Sequence, residues 1–462
     1  MELSLIEASQ ACKGKIYFPD KQMQKKISGV ELDSRKIKPG NLFIATRGER
    51  VDGHSFIEAA FQKGCFMTVC EELPREPYGP CVLVQDSFQA LKDIAEFYRA
   101  KLSIKVVGIT GSVGKTSTKE FVAGVLEKKF NVLKTEGNFN NEVGLPLTVL
   151  RLREEHEIAV LEMGISHFGE MHRLSKIAKP DVCVMTNIGQ CHLEFLGNRD
   201  GILRAKSEIF DYMNPAGCIC INADDDKLSM ISSVEGKIPI TFGKKETCDF
   251  YADQIQNKGL WGTEFQLHHG QDTKKIVISL PGEHMVYNAL AAACVASNFG
   301  LTMDQIADGI RDVAAVSGRS NLIRTGSYTL IDDCYNANPV SMKAALELLK
   351  MADTRKVAVL GDMYELGETQ EQLHEDVGRF GASLSIDCIY CIGKLAKNIY
   401  LGAMQEIEEN GNQIEIRWFE TKEDFLQQEA ALLKQGDTVL LKASHGMNFE
   451  KIVSTLQQAA DS

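Results

Sequence analysis

The sequence holds no apolar run near the roughly 20 residues that a membrane-spanning helix needs. Its first stretch, Met1 to Lys15, lacks the basic-then-apolar order of a secretory signal. It has no excess of positive charge either: 63 Asp and Glu stand against 51 Lys and Arg, a net charge of −12. That balance excludes nucleic acid and anionic membrane as bulk partners, because both need a broad basic face. It leaves room for a small anion in a local positive pocket. No internal repeat and no low-complexity tract is found. The 13 cysteines are an odd number, and most sit inside apolar runs (Cys183, Cys218, Cys220, Cys294, Cys388). They read as reduced core thiols of a cytoplasmic protein. One CxxC, Cys388 and Cys391, lies in "DCIYCIG", a buried-strand pattern, and no second pair is spaced to complete a zinc site. No Ser–His–Asp or Cys–His arrangement stands out.

What is present is an α/β rhythm on a chain of 462 residues, long enough for about two to four domains. From Lys105 onward short apolar runs alternate with helical patterns. "KVVGIT", "EIAVLEMG" and "DVCVMTNIG" read as buried strands, with helices over 115–130, 170–178 and 201–212. This predicts a parallel sheet with helices on both faces. The stretch 238–280 changes to short alternating runs, expected as antiparallel strands appended to that sheet. "PGEHMVYNALAAACVASNFG" then reads as a strong helix ended at Gly300. After "AAVSGRSN" the rhythm restarts with "YTLIDD", "KVAVLGD", "DCIYCIG", "IEIRWF" and "TVLLKAS", a second α/β unit from about Gly318. The first eighty or so residues form a third unit, closed by "EELPREPYGP", a Pro/Gly-rich linker candidate.

The chemistry starts at "VVGITGSVGKTSTKEF", Val106 to Phe121. Gly111, Gly114, Lys115 and Thr116 follow a strand and open a helix. Glycines let backbone N–H groups turn toward phosphate oxygens, and the helix N-terminus adds partial positive charge. Lys115 is placed to bridge terminal phosphates and Thr116 to ligate magnesium. The strict phosphate-loop pattern wants glycine at position 109, which is Ile109; this loop is the shorter T-G-S-x-G-K-T.

In an open α/β sheet, ligands gather at the carboxyl ends of the strands. Glu162 closes "IAVLE" and suits Mg²⁺, a hard cation that prefers oxygen; the alternative is a solvated strand end. Asn187 closes the next strand, and His192 follows five residues on. Imidazole is an unusual magnesium ligand, so on chemistry alone His192 reads as a hydrogen-bonding side chain. Lys206, in "LRAKSEIF", reads as a lysine laying its stem along apolar neighbours. Further on, Asp332, Asp333, Asn336 and Asn338 sit between a strand and a helix opened by Pro339. Such short polar groups cap helices or read a base or ribose. Arg319, in "SGRSN", reaches a phosphate or closes a hinge salt bridge. Asp362, Glu365, Lys442, Ser444 and His445 occupy similar loops as ligands or as plain loop polars.

Taken together these segments resemble the Mur ligases, and within that family the members that add D-alanyl-D-alanine to UDP-N-acetylmuramoyl-tripeptide. The resemblance spans essentially the whole chain. It is carried by "TGSVGKTSTKE", "EGNFNNEVGLPLT", "LEMGISHFGEM", "TNIGQCHLEFLG" and "AKSEIF" in family order, and by "DDCYNANPVSMKAAL" and "GDMYELGE". "DSRKIKPGNLFIATRGERVDGHSFI" is similar to the uridine-nucleotide segment, with Asp33, Ser34 and Arg35 as its core. No AHTPD-like stretch or DNPR motif of the sister that adds the third amino acid is present.

The resemblance implies an α/β fold of three domains: a smaller α/β UDP-substrate domain (1–84), a central ATP-binding domain (85–317) and a C-terminal Rossmann-like domain (318–462). The central one is expected to hold a P-loop-type, mostly parallel sheet. The resemblance also implies ATP and Mg²⁺ as cofactors. Gly111, Ser112, Gly114, Lys115, Thr116, Ser117, Asn288, Arg319, Asp333, Asn336 and Asn338 become ATP contacts, and Ser34, Arg35, Asn138, Asn140 and Asn141 substrate contacts. Thr116, Glu162, His192 and a carbamylated Lys206 become metal ligands; carbamylation turns the amine into an anionic oxygen donor. Lys115, Glu162, His192, Lys206 and Arg319 carry catalysis through an acyl phosphate. The chain is expected to be monomeric. The rivals are a folylpolyglutamate-type ligase, which lacks the N-terminal domain, and a non-catalytic nucleotide switch, which needs neither His192 nor Lys206.

Overall fold

The structure, a computed structural model, describes residues 1–459 apart from 22, 49, 50, 316 and 412. Glu49 and Arg50 of the uridine-nucleotide segment and Val316 of "AAVSGRSN" therefore lie outside the described residues. The alternating strands and helices gather into three sheets of five, nine and six strands.

The first sheet runs Lys15–Tyr17, Cys81–Leu83, Met67–Cys70, Leu42–Ile44, Val30–Glu31. Only the pairing of Lys15–Tyr17 with Cys81–Leu83 is antiparallel. The Pro/Gly-rich stretch 71–80 is not a link between domains. It joins two parallel neighbours, Met67–Cys70 and Cys81–Leu83, inside this sheet. Proline and glycine mark exposed backbone of any kind, so composition alone could not separate an internal loop from a boundary. Helix Ser87–Ala100 follows, capped by Asp86, and buries Ala90, Leu91, Ile94, Ala95 and Tyr98. These side chains join one continuous apolar cluster that reaches from Leu3 to the central sheet.

The central sheet runs Asp272–Ile278, Thr263–His269, Phe250–Asn257, Ile240–Gly243, Cys218–Asn222, Val182–Met185, Lys105–Thr110, Ile158–Glu162, Val132–Lys134. Its middle strands are buried on both faces, as near-continuous apolar runs require. Helices Lys115–Leu126 and Met285–Asn298 share one apolar cluster over one face. The antiparallel part begins later than expected. Ile240–Gly243 pairs parallel with both neighbours, and only 250–278 folds into antiparallel hairpins. Four residues are too few for alternation to distinguish the two kinds of strand.

The last sheet runs Asn321–Arg324, Thr329–Asp332, Thr438–Lys442, Lys356–Gly361, Cys388–Ile392, Glu415–Phe419. All neighbours are parallel except the first pair; the edge strand Asn321–Arg324 is an addition to the five expected. Cys388 and Cys391 pack into different apolar clusters, on opposite sides of their strand, so they cannot share a ligand. All thirteen cysteines are free, twelve of them buried. Among the described residues no helix is long and apolar enough to cross a membrane.

The hairpins of the central sheet reach the last one. Leu260, at the turn between Phe250–Asn257 and Thr263–His269, is 8% exposed and packs in the apolar cluster of Ile331, Leu348 and Leu349. Beside it the Arg324 guanidinium lies 4.0 Å from the centre of the Trp261 ring. The appended strands thus form an arm that hooks the third sheet.

Candidate functional site

The phosphate loop is the turn between strand Lys105–Thr110 and helix Lys115–Leu126. Gly111 (φ +151) and Gly114 (φ +84) carry its left-handed turns, and a Cβ on Gly111 would stand 1.9 Å from Thr186 Oγ1. The neighbouring strand end pins the loop. Asn187 Oδ1 accepts from Val113 N at 2.9 Å, while Thr186 Oγ1 and Asn187 Nδ2 donate to Val113 O at 2.7 and 2.8 Å. Lys115 Nζ donates to the carbonyls of Gly111 at 2.8 Å and Ser112 at 3.4 Å. Burial draws its pKa below the ordinary value, against the pull of Glu162.

Glu162 is 1% exposed. It accepts from Thr116 Oγ1 at 2.9 Å and from Asn140 Nδ2 at 2.8 Å. Both donors are neutral, and among the described residues no cation pairs with it within ion-pair distance. A buried carboxylate without a counter-ion is costly unless a cation is coordinated there. The donor set fits magnesium: one carboxylate and one hydroxyl beside a phosphate loop, with the remaining positions left to water and phosphate oxygens. No group of three or more His, Cys, Asp or Glu able to hold a metal is found among the described residues.

A cavity of about 580 Å³ opens over this loop, lined by both the central and the last sheet's elements, a volume in the usual range for small-molecule sites. It collects Ser112, Gly114, Lys115, Thr116, Ser117, Asn140, Asn141, Glu162, His192, Asn288, Arg319, Asp333, Asn336 and Asn338 from the sequence reading. Gly111 lies beneath, in the loop. Several of these side chains are already engaged. Asn338 caps helix Pro339–Lys350 by accepting from Ser341 N at 2.9 Å. Asn336 Oδ1 accepts from Ala337 N at 2.9 Å. Asp333 accepts from Lys442 Nζ at 2.6 Å and Ser320 N at 2.9 Å. Asn288 Oδ1 accepts from Thr118 Oγ1 at 2.9 Å. Arg319 is the less satisfied one: its Nε is buried without a hydrogen-bond partner.

His192 reaches across to the third sheet's loops. Its Nδ1 lies 2.6 Å from Glu365 Oε2. Glu365 itself holds φ +60, an unusual conformation for a residue with a Cβ. Lys206 is 1% exposed, so it does not lay its stem along the surface with its head in water. Burial lowers its ammonium pKa to about 8, with Lys115 adding to the effect. A lysine that is partly neutral near pH 8 is a competent nucleophile toward CO₂. Asp362 is a structural group: it accepts from Ala396 N at 2.7 Å. Ser444 Oγ accepts from Tyr364 N at 3.0 Å.

Not every expected contact is gathered here. Ser34 and Arg35 sit on a turn of the first sheet, where Arg35 grips Asp33 with two nitrogens at 2.9 Å and holds its carboxyl at about 2. They, the exposed Asn138 and the buried Lys206 do not line the cavity. Conversely, Tyr335, His284 and Thr186 line it and were not singled out. Tyr335 lies within the quoted "DDCYNANP", and His284 within the "PGEH" that opens a helix, so position alone could have flagged both. Burial draws the His284 pKa down.

Comparison with known proteins identifies the family. Residues 26–99 match the family model "Mur ligase family, catalytic domain". Residues 109–296 match "Mur ligase middle domain", and 318–445 match "Mur ligase, glutamate ligase domain". A protein of Bacillus subtilis named UDP-N-acetylmuramoyl-tripeptide–D-alanyl-D-alanine ligase is 38% identical over 453 residues, covering 97% of each chain. The crystal structure of MurF from Acinetobacter baumannii superposes with a TM-score of 0.90 at 34% identity over 98% of each chain. That of MurF from Thermotoga maritima, in complex with ADP, does so at 0.82 and 30%, over 94% of this chain and 98% of that one. The chain belongs to the Mur ligase family and, within it, to the MurF type.

Proposed function

We propose that this chain joins D-alanyl-D-alanine to the terminal carboxylate of UDP-N-acetylmuramoyl-tripeptide at the expense of ATP, making the pentapeptide precursor of peptidoglycan. The observation that carries the reading is that the phosphate loop, buried Glu162 and Arg319 line one and the same cavity. Domain 1–84 takes the uridine nucleotide through Ser34 and Arg35, domain 85–317 takes ATP, and domain 318–462 covers it. Asn138, Asn140 and Asn141 meet the tripeptide end of the substrate. The protein works as a cytoplasmic monomer.

A carboxylate does not condense with an amine in water without activation. The loop amides after Gly111 and the Lys115 ammonium hold the β- and γ-phosphates from one side, and Arg319 meets the terminal phosphate from the other. A carboxylate oxygen of the tripeptide attacks the γ-phosphorus as the bond to ADP breaks, giving an acyl phosphate. The D-Ala-D-Ala amine then attacks the carbonyl carbon, and inorganic phosphate leaves from the tetrahedral adduct. Thr116 and Glu162 would hold one Mg²⁺, and His192 with carbamylated Lys206 a second; bound there, the ions supply neutralisation of phosphate charge. Asp333, fixed by Lys442, and Asn336 and Asn338, fixed by their own backbone, shape the nucleotide wall. Cover by the third domain excludes water that would hydrolyse the acyl phosphate.

The test is amide formation from UDP-N-acetylmuramoyl-tripeptide, D-Ala-D-Ala and ATP, run beside lone D-Ala and glutamate. Pentapeptide product with D-Ala-D-Ala alone is expected. ADP release that ignores the tripeptide would refute the ligase reading.

A further inference from the structure

We infer that Tyr335 is a positioning residue that aims Arg319 at the transferred phosphate, by holding the guanidinium on its ring instead of on a carboxylate. The inference rests on the ligase reading for the identity of what Arg319 meets, and on the geometry for everything else.

The crossing from the central to the third domain is clamped on both sides of Arg319. Gly318 N donates to Asp332 Oδ2 at 2.8 Å and Ser320 N to Asp333 Oδ1 at 2.9 Å. Tyr335 N donates to Gly318 O at 3.1 Å. Gly318 takes φ +73, and a Cβ there would stand 3.1 Å from Tyr335 Cβ. Residues 332–335 thus grip 318–320 on both sides of Arg319. The Arg319 guanidinium carbon lies 4.0 Å from the centre of the Tyr335 ring. The His445 ring, tilted at 5.5 Å, backs the tyrosine.

What is missing around Arg319 gives this geometry its meaning. None of the ion pairs formed among the described residues involves it, and its buried Nε has no acceptor. A carboxylate partner would fix the guanidinium but neutralise it. An aromatic face fixes it by the ring quadrupole and leaves its charge and its in-plane donors free. An anion with several oxygens is the acceptor that such a fork suits. The nearby carboxylates are occupied elsewhere: Asp332 with Gly318 N, Asp333 with Lys442, Glu162 with Thr116 and Asn140.

The test is a double-mutant cycle on the full-length enzyme, with Tyr335→Phe, Tyr335→Leu and Tyr335→Met, each alone and with Arg319→Ala. Folding is checked by thermal unfolding; the two apolar variants differ in shape, so one folded variant suffices. Tyr335→Phe keeps the ring and is expected to hold kcat within about 2-fold. Tyr335→Leu or Tyr335→Met is expected to lower kcat about 5- to 30-fold, the range from the stronger exposed cation–π contacts to desolvated ones. The KM values for tripeptide and D-Ala-D-Ala should stay within about 2-fold. With Arg319→Ala already present, the same change should have little further effect, because the residue through which Tyr335 acts is gone. Equal losses in both backgrounds would overturn the inference. Binding of ADP and of a non-hydrolysable ATP analogue, measured by calorimetry, gives a readout that does not depend on turnover. Tyr335→Leu should weaken the ATP analogue and spare ADP, which lacks the terminal phosphate. Equal weakening of both would make Tyr335 a platform for the base and overturn the inference. Absence of amide product with intact nucleotide discrimination would refute the ligase reading and leave the Tyr335–Arg319 pairing standing.

Discussion

Replacing Lys206 by methionine should stabilise the protein while ending its activity, and the gain should depend on pH in a defined direction. The side chain is buried, and its pKa falls from 10.5 to about 8. That difference corresponds to about 3 kcal/mol of disfavour for the charged form in the folded state. Below pH 8 both folded and unfolded chains hold the proton, and the folded one bears the full penalty of a buried ammonium. Between pH 8 and 10.5 the folded state has released it and the unfolded state has not. Unfolding then takes up a proton, so stability rises with pH through this window. Methionine has no such group, so Lys206→Met should be more stable than the parent by about 3 kcal/mol at pH 7. The gap should close by about 2 kcal/mol or more on going to pH 10. Urea unfolding of both proteins at pH 7, 8.5 and 10 in CO₂-free buffer reads this, because every other lysine is common to the pair and cancels. Added bicarbonate should raise the parent's stability near pH 8.5, where neutral amine is available to form the carbamate, and leave the variant unchanged. A gap that stays constant from pH 7 to 10 would refute the reasoning, whatever its size.

Glu162→Gln keeps the shape of a buried carboxylate and removes its charge. It should lower magnesium-dependent turnover by at least about 100-fold, more than loss of an outer-sphere partner usually does, while the melting temperature holds or rises; a falling melting temperature would speak against an unpaired buried charge. Gly111→Ala would bring a Cβ against Thr186 Oγ1, which holds the loop through Val113 O. Overpacking of this kind costs about 1–3 kcal/mol, and ADP affinity by calorimetry should fall at least 10-fold; unchanged affinity would show the loop's geometry to be unimportant. Leu260→Ala empties the arm's anchor in the third domain. A loss of about 2–4 kcal/mol from its apolar contacts should raise the radius of gyration in X-ray scattering, and an unchanged profile would mean the arm does not hold that domain.

The parts of this molecule that were legible in the sequence are those whose signal is local. The phosphate loop needs strand, glycines and helix within sixteen residues, and it stands where the pattern put it. Most strands of the two α/β units were visible because they are apolar runs buried on both faces; Glu415–Phe419, exposed along one face, shows as an alternation instead. The edge strand Asn321–Arg324 has only two apolar residues in four, too little pattern to register. Ligand roles were harder, because a short polar side chain between strand and helix carries the same letters whether it caps or binds. Asn338 does cap, and Asp333 pairs with a lysine 109 positions away. Lys206 reads like any lysine with apolar neighbours, since sequence does not show whether an amphipathic side chain ends in water or is buried. The N-terminal Ser34 and Arg35 were legible as a motif, yet their relation to the phosphate loop belongs to domain packing, which no local pattern carries.

The least legible feature, Leu260, bears most on how the site is assembled. Each wall of the cavity is rigid on its own terms. The loop is pinned by Thr186 and Asn187, and the opposite wall by the Asp333–Lys442 pair and the helix cap. Two walls so fixed can be brought into register only by placing one domain against the other. The structure places them through contacts on two flanks: Leu260 with the Arg324–Trp261 stack, and the His192–Glu365 pair. The first is apolar and buried, so opening it exposes hydrocarbon. The second is a partly exposed polar contact, and such contacts contribute little to stability in water. The buried contact at Leu260 therefore does more to hold the third sheet in register with the phosphate loop than the partly exposed contact at His192 does.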